Sequence, residues 1–224
     1  MNSKSIKNYA FIPAREFSKG LPNKNRVLIK YTLEFIKKLT WIDKIYIYTD
    51  DKYFDKFTNP SQKIEKILRL RKNSKGNQSI KKVAESFLKE IEYNENDNFW
   101  LFYLTIPIRK KKHFNEAYKI VKRNKYNSLI SFIKSKTHPY DCWIINRNKI
   151  KRKFIKNDIY RRQDKPNLFE HHHYISMFKP KSIINLNSEL ISNTTYPYFV
   201  ENNYENKLIE IDTKDDYLKF KSIK

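Results

Sequence analysis

The chain has 224 residues, of which 39% are hydrophobic and 15% aromatic, so it holds enough apolar material for one packed domain. Its single cysteine, Cys142, excludes an internal disulfide framework, and the sequence shows neither an apolar leader nor a run of about 18 apolar residues; we therefore expect a cytoplasmic protein without a membrane partner. The net charge of +23 would suit a polyanion, but lysine is spread along the whole chain and only residues 109–113 and 149–156 form basic patches, so nucleic acid is not the expected partner.

Apolar periodicity predicts strands that alternate with helices along most of the chain. In order, we predict a strand at 9–13, a helix at 28–39, strands at 44–49 and 66–70, a helix from 80 to 91 capped by Ser79, a strand at 99–104, a helix at 113–124, strands at 128–133, 174–178 and 208–211, and a last helix opened by a capping box of Thr213 and Asp216. This order is typical of an α/β fold: a three-layer α/β/α sandwich around a mainly parallel, Rossmann-like sheet.

The pattern breaks between residues 134 and 173, where no clean period is found. A stretch of that length without regular structure is either a long functional excursion or a dimerisation arm. We therefore predict one domain over residues 1–224, with residues 134–173 as an arm.

The loop "AREFSKGLPNKN" (residues 14–25) follows the first predicted strand and holds one of only two glycines in the chain, Gly20. In a parallel sheet, a loop at the carboxyl end of a strand is where ligands bind. The cations and amides of this loop suit a phosphate, and we expect Gly20 to let backbone N–H groups approach the ligand. Too few glycines are present for a Walker loop or a dinucleotide fingerprint, so side-chain charge would do the binding.

The loop motif "IPAR..SKGLPNKN" resembles the signature of the acylneuraminate cytidylyltransferases, the CMP-sialic acid synthetases, and more distantly that of the CMP-Kdo synthetases. Further similarities follow in the family's order: "YIYTDD" at 46–51, "YLTIPIR" at 103–109, "THP" at 137–139, "RRQD.P" at 161–166 and "IEIDT" at 209–213. Only the first motif is specific alone, but the ordered set covers nearly the whole chain.

The resemblance implies a nucleotide-diphospho-sugar transferase type of fold and a cytidylyltransferase activity. Such an enzyme transfers CMP from CTP to the anomeric hydroxyl of a sialic-acid-like 2-keto sugar acid (a nonulosonic acid), with release of pyrophosphate and with Mg²⁺ as cofactor. It would serve carbohydrate biosynthesis for a lipopolysaccharide or capsule. The family's long excursion also implies a homodimer with shared active sites.

The resemblance assigns roles to individual positions. Arg15 and Lys24 would be catalytic, contacting the triphosphate, and Glu210 and Asp212, which alternate on a predicted strand and so share a face, would hold the metal. The nucleotide-binding set would be Ala14, Arg15, Ser18, Lys19, Gly20, Asn25, Asn77 and Ser79. The substrate-binding set would be Tyr103, Thr105, Arg162, Gln163 and His172.

Several positions depart from the family's pattern. Glu210 and Tyr103 stand where the family has aspartate and glutamine, and Ile106 replaces a serine. "FEHHHYI" at 169–175 replaces a common Asn-Gly-Ala. Consecutive residues on a strand face opposite ways, so at most His171 and His173 share a face, and no further Cys or His lies at metal spacing. We therefore expect a substrate-pocket or interface role for the histidines rather than a transition-metal site.

Two other classes of function stay open. The substitutions motivate a catalytically degenerate homologue that binds nucleotide or a partner without turnover. The net charge leaves open a basic nucleic-acid-binding protein, which no recognition motif supports.

Overall fold

The computed structural model describes residues 5–17, 20–70, 78–156, 159–201, 204 and 207–223. Within these ranges it has nine strands: β1 Asn8–Ala14, β2 Lys44–Thr49, β3 Ile64–Leu68, β4 Asn98–Leu101, β5 Ser128–Lys134, β6 Trp143–Asn146, β7 Lys149–Lys153, β8 Phe169–Phe178 and β9 Tyr196–Phe199. The helices are α1 Lys24–Ile36, α2 Ile80–Leu88, α3 Lys111–Asn124 and α4 Lys214–Ile223.

Seven strands form one sheet in the order β3-β2-β1-β4-β8-β5-β9. The pairs on either side of β1, the pair β2–β3 and the pair β5–β9 are parallel, whereas β8 runs antiparallel to both of its neighbours. The chain leaves β1 towards β2 and β3 and then returns to the other side of β1 as β4. The sheet therefore changes direction between β1 and β4, which is where open α/β sheets bind their ligands.

Alternation along the strands divides the core into two layers, as a period of two requires. On β1, Ala10 and Ile12 belong to the larger cluster under α1, α3 and α4, whereas Phe11 belongs to the cluster under α2. In the second cluster Phe87 of α2 stacks on Phe11, with ring centroids 4.4 Å apart. Helices thus cover both faces of the sheet, and the predicted three-layer α/β/α fold is confirmed.

Helix capping follows the sequence. The hydroxyl of Ser79 accepts a hydrogen bond from Lys82 N at the start of α2. Before α4, Thr213 N donates to the Asp216 carboxylate (2.9 Å) and Asp216 N donates to the Thr213 hydroxyl (3.2 Å), which is a reciprocal capping box. Both predicted caps are confirmed.

Some predicted boundaries were wrong. Residues 208–211 are not a strand; they lie beside the loop after β4, held by a hydrogen bond from Ile211 N to Thr105 O (2.8 Å). The strand β4 ends at Leu101 rather than at 104, β3 lies two residues earlier than predicted, and β9 was missed. Short apolar runs give strand-like patterns whether or not a neighbouring strand is available, and only the fold supplies that neighbour.

The arm is shorter than predicted, because β8 begins at Phe169 and so takes in the histidine run. What remains of the arm carries the hairpin β6–β7, whose turn residues Arg147 and Asn148 both have positive φ (47° and 61°). Two consecutive left-handed residues match the twist of a two-residue hairpin. None of the helices in the described ranges combines the length and apolar character needed to cross a membrane.

Candidate active site

The loop after β1 is fixed by hydrogen bonds from both of its sides. Asn25, in the first turn of α1, donates from Nδ2 to the carbonyl oxygen of Arg15 (2.9 Å). Asp50, directly after β2, accepts from Glu16 N (2.8 Å). The peptide group that links Arg15 to Glu16 is thereby held at its oxygen and at its N–H, so the Arg15 side chain starts from a fixed backbone position.

The second carboxylate after β2 anchors α1. Asp51 is buried, and its two oxygens accept from Nε and Nη2 of Arg26 at 2.7 and 3.0 Å. A bidentate pair of this kind fixes orientation as well as distance. The "TDD" segment (residues 49–51) therefore holds the loop after β1 and the start of α1 in place and does not line the cavity.

Gly20 is required by space, not by backbone conformation. Its φ is not positive, but a Cβ built on it would lie well under 3.0 Å from the carbonyl oxygen of Asp212. The missing side chain therefore lets the loop after β1 pack against the segment before α4. The expectation that Gly20 brings backbone N–H groups to a ligand stays a prediction. Lys24 closes the same contact, with Nζ 2.5 Å from the Asp212 carboxylate and 3.3 Å from Ile211 O.

The opposite wall is the loop after β4. Thr105 accepts the backbone hydrogen bond from Ile211, and its hydroxyl donates to Glu210 (3.4 Å). The partly buried Arg109 braces this loop by donating to Tyr103 O (2.5 Å) and to the Thr32 hydroxyl (3.1 Å). Burial lowers the pKa of Arg109 to about 9. This guanidinium is a structural strut rather than a substrate contact.

Between these walls lies a cavity of about 280 Å³ at the carboxyl ends of β1 and β4, where the sheet changes direction. It is lined by Pro13, Arg15, Lys24, Asn25, Arg69, Gln78, Ile80, Val83, Tyr103, Leu104, Thr105, Glu210 and Asp212. Three cations and two carboxylates therefore converge on one open pocket.

The charges of the cavity suit an anion together with a cation. Burial, with the neighbouring Arg15 as a further contribution, lowers the pKa of Arg69, so the charged form of this guanidinium is disfavoured at the site. Burial and then the neighbouring Asp212 raise the pKa of Glu210. A bound polyphosphate would stabilise the charged form of Arg69, and a bound divalent cation would stabilise the charged form of Glu210. Two carboxylates and the Thr105 hydroxyl form an all-oxygen donor set, which is the kind that Mg²⁺ prefers.

Seven of the predicted site residues line this cavity: Arg15, Lys24, Asn25, Tyr103, Thr105, Glu210 and Asp212. Glu210 and Asp212 share it as predicted, although through an extended segment rather than a strand. Gly20 does not line the cavity and packs against the backbone of Asp212, and Ala14 is buried in β1. Ser18, Lys19 and Asn77 lie outside the described residues.

Four predicted residues are not brought to the cavity. Ser79 does not line it, and its hydroxyl caps α2. Arg162 and Gln163 are exposed in a short 3₁₀ turn of the arm, where Arg162 lines a separate cavity of about 390 Å³ with Lys134 and Lys165. His172 faces away, because its neighbours on β8 take the other side; its Nδ1 accepts from Tyr174 N (3.1 Å).

A third cation of the cavity, Arg69, was not predicted from the sequence. Arg69 follows β3 directly, is only 6% exposed, and lines the cavity; its position after a strand of a parallel sheet was the available signal. His173, one of the histidines expected in a substrate pocket or at an interface, packs its ring 5.0 Å from that of Tyr103, which lines the cavity. After burial, the nearby carboxylates of Glu189 and Glu210 are the next contributions that raise the pKa of Tyr103.

Similarity to solved structures defines the class of fold. The chain is similar to a CMP:2-keto-3-deoxy-manno-octonic acid synthetase complexed with CTP (TM-score 0.64, 13% identity, covering 97% of this chain and 98% of that one). It is also similar to the Francisella tularensis 2-C-methyl-D-erythritol 4-phosphate cytidylyltransferase (TM-score 0.60, 14% identity, covering 96% and 99%). The architecture is therefore the α/β fold of nucleotidyltransferases.

The chain belongs to the cytidylyltransferase family, whose model matches residues 9–223. Curated relatives are N-acylneuraminate cytidylyltransferases from Streptococcus agalactiae serotypes V and III, each 25% identical over 222 residues. These matches cover 95% of this chain and 52% of each relative, so the chain spans about half the length of the curated relatives it matches. The resemblance drawn from the ordered motifs is thereby confirmed, for a divergent relative.

Proposed function

We propose that this chain transfers CMP from CTP to the anomeric hydroxyl of a nonulosonic acid and releases pyrophosphate. In this reaction the sugar oxygen forms a bond to the α-phosphorus, the hydroxyl proton is lost, and the bond from the α-phosphorus to the bridging oxygen breaks. Negative charge therefore develops on the α-phosphate and on the departing pyrophosphate, and the site must stabilise it.

The observation that carries the proposal is the convergence of Arg15, Lys24 and Arg69 with Glu210 and Asp212 at the point where the sheet changes direction. Cations held in place before the reaction stabilise developing phosphate charge without reorganisation. Lys24 is ion-paired to Asp212, so it is aimed into the cavity without a bound nucleotide. This retained constellation favours an active enzyme over the degenerate homologue.

We propose that Glu210 and Asp212 hold Mg²⁺, with Thr105 orienting the Glu210 carboxylate. When bound, Mg²⁺ supplies neutralisation of the triphosphate oxygens. The Asp212 side chain is 63% exposed, so it can exchange its lysine partner for an ion without breaking the core. Glu210 has one more methylene than the family's aspartate, and its carboxylate accepts a hydrogen bond from the Thr105 hydroxyl.

The acceptor side of the cavity differs from the family's pattern, because an aromatic ring, Tyr103, stands where glutamine is usual. Its neighbour His173 adds a second ring at that edge. We therefore propose that the acceptor is a nonulosonic acid other than ordinary sialic acid, with legionaminic-type and pseudaminic-type acids as candidates.

The first experiment is thermal unfolding with each of the four nucleoside triphosphates, with and without Mg²⁺. A ligand that binds the native state raises its stability by RT ln(1 + [L]/Kd), so CTP should raise Tm most. Lys24→Ala should abolish the CTP shift. Lys30→Ala, an exposed lysine on the same helix, should keep it.

The second experiment is pyrophosphate release from CTP and Mg²⁺ with a panel of nonulosonic acids. Release with at least one acid supports the proposed reaction and identifies the acceptor. A CTP-selective Tm shift without release from any acid would contradict turnover and favour the degenerate homologue. Steeply salt-dependent binding to random oligonucleotides, unaffected by CTP, would favour the nucleic acid binder.

We also propose a homodimer in which the arm completes the partner's site. The hairpin exposes large apolar side chains, among them Trp143 (53%), Ile145 (64%) and Ile150 (70%). Apolar side chains clustered on a two-stranded projection are typical of an interface. Arg162 lies in the arm and away from its own chain's cavity, as a residue that serves the partner subunit would.

A further inference from the structure

The histidine run on β8 meets an acidic side chain that lies 16 residues beyond His173 in the chain. His171 and His173 share one side of β8, with ring centroids 5.4 Å apart. Glu189, from the turn that precedes β9, reaches both: its Oε2 lies 3.2 Å from Nε2 of His173 and 3.7 Å from Nε2 of His171. One donor atom from each residue lies within 4.8 Å of the others.

The sequence led us to expect no transition-metal site at these histidines, but it did not show Glu189 as a third donor. With that donor in place, we propose that His171, His173 and Glu189 bind a divalent transition metal ion of the Zn²⁺ type. Two imidazole nitrogens and one carboxylate are a donor set that suits Zn²⁺ and its neighbours in the first row, whereas Mg²⁺ prefers oxygen alone. A tetrahedral zinc site has bonds of about 2.0–2.1 Å, which set its donors roughly 3.3 Å apart. The observed separations of Glu189 from the two histidines need adjustments of only a few tenths of an ångström, and the donor atoms of the two histidines lie within 4.8 Å of each other.

The elements that carry the three ligands are held independently of one another. The pairing of β8 with β5 contains a bulge. Ile130 and Ser131 are neighbours on β5, but their partners on β8 are Ser176 and His172. The Ser131 hydroxyl fixes this bulge by donating to His172 O and accepting from Ile175 N (2.9 Å). His173 lies inside the bulge, so its direction is set by backbone bonds rather than by a ligand.

The turn that carries Glu189 is equally ordered. The side chain of Asn187 accepts from the backbone N–H groups of Glu189 (2.9 Å) and Ile191 (3.0 Å). Leu190 adopts a left-handed conformation (φ 62°) and is buried. Burial of Leu190 fixes the turn in this conformation, and the Glu189 carboxylate lies beside the histidines of β8.

The site is distinct from the carboxylate pair proposed for Mg²⁺ but borders the same cavity. Tyr103 lines the cavity on one side and packs against the His173 ring on the other. Three protein ligands leave a fourth position open, as zinc sites with an exchangeable ligand do. His171 is 41% exposed, so that position is reachable from solvent. The proposal concerns metal binding and does not depend on the proposed reaction.

The test uses the untagged full chain, stripped with a chelator and titrated with Zn²⁺ by calorimetry, and with Co²⁺ by visible absorption. We expect one equivalent of Zn²⁺ per chain and a Co²⁺ spectrum of tetrahedral intensity. His171→Ala and Glu189→Gln should each weaken Zn²⁺ binding by about tenfold or more. Both positions are partly exposed, so these variants should fold, which the unliganded Tm verifies.

Two matched controls come from the same strand. His172→Asn removes the adjacent histidine, whose ring faces the other side, and Glu170→Gln removes a carboxylate that accepts instead from Ser135 (2.7 Å). Both should bind Zn²⁺ as the unaltered chain does. The proposal is overturned if the chain binds less than one equivalent, or if His171→Ala and Glu189→Gln bind as tightly as the controls. The three residues would then form only a histidine–carboxylate hydrogen-bond cluster.

Discussion

Replacing Gly20 by alanine should damage the candidate active site more than it damages the fold. The added Cβ would lie well under 3.0 Å from the carbonyl oxygen of Asp212 and 3.3 Å from its carbonyl carbon. Both atoms belong to the backbone, so no side chain can rotate away. Normal contact would be restored only if one segment moved by about 1 Å. That movement would carry the Asp212 carboxylate away from Lys24 and from Glu210.

The two consequences have different magnitudes. Crowding of this kind costs about 1–3 kcal/mol in the free energy of unfolding, which leaves the chain folded. A displacement of about 1 Å among groups that position reacting atoms lowers turnover by about a hundredfold. We therefore expect Gly20→Ala to lower Tm by several degrees and to lower kcat for pyrophosphate release by about two orders of magnitude.

The assay is pyrophosphate release at saturating CTP and acceptor, with Tm measured on the same preparations. Gly20→Ser places its Cβ in the same overlap and should lose activity to a similar degree, while Lys30→Ala should lose neither activity nor stability. If Gly20→Ala retains the unaltered Tm and turnover, the close approach to Asp212 does not constrain the site, and the physical reason given for the glycine is wrong.

Three further predictions concern the dimer, pH and the core. A chain with Lys24→Ala and a second chain with Arg162→Ala, each inactive alone, should regain about a quarter of full activity when they are mixed and reassembled. Half of the dimers are then mixed, and each mixed dimer has one intact shared site of its two. No recovery would place Arg162 outside the partner's site. Burial lowers the pKa of His113 in the folded chain below its ordinary value of 6.5. The unfolded chain therefore binds more protons, and the free energy of unfolding should fall as pH drops below 6.5 towards the lowered folded pKa. In denaturant titrations His113→Gln should lose this part of the pH dependence, and an unchanged profile would contradict it. Phe87 is fully buried against four other aromatic rings, so Phe87→Ala should cost about 3–5 kcal/mol in urea unfolding, against almost nothing for the exposed Leu218→Ala; a cost below about 1 kcal/mol would show that the cluster repacks.

Local patterns were sufficient where local physics decides the outcome. The caps at Ser79 and Thr213 were predicted because a cap is made by residues within one turn of each other. The strand at 44–49 and the helix ending at Asn124 were predicted because a buried face places apolar residues at the spacing of that strand or helix. The ordered motifs predicted Arg15, Lys24, Glu210 and Asp212 as one site, and the structure brings them together.

The sequence by itself therefore determined the class of fold, the loop after β1 and most of the charged groups of the cavity. The tertiary structure alone decided contacts between residues far apart in the chain. The overlap that demands glycine at position 20 involves Asp212, 192 positions later. Glu189, next to the buried left-handed Leu190, reaches the two histidines from a turn outside their strand. Arg69 joins the cavity because β3 ends at the same sheet edge as β1. Such contacts depend on which strands become neighbours, and pairing over long separations leaves no period in the local sequence.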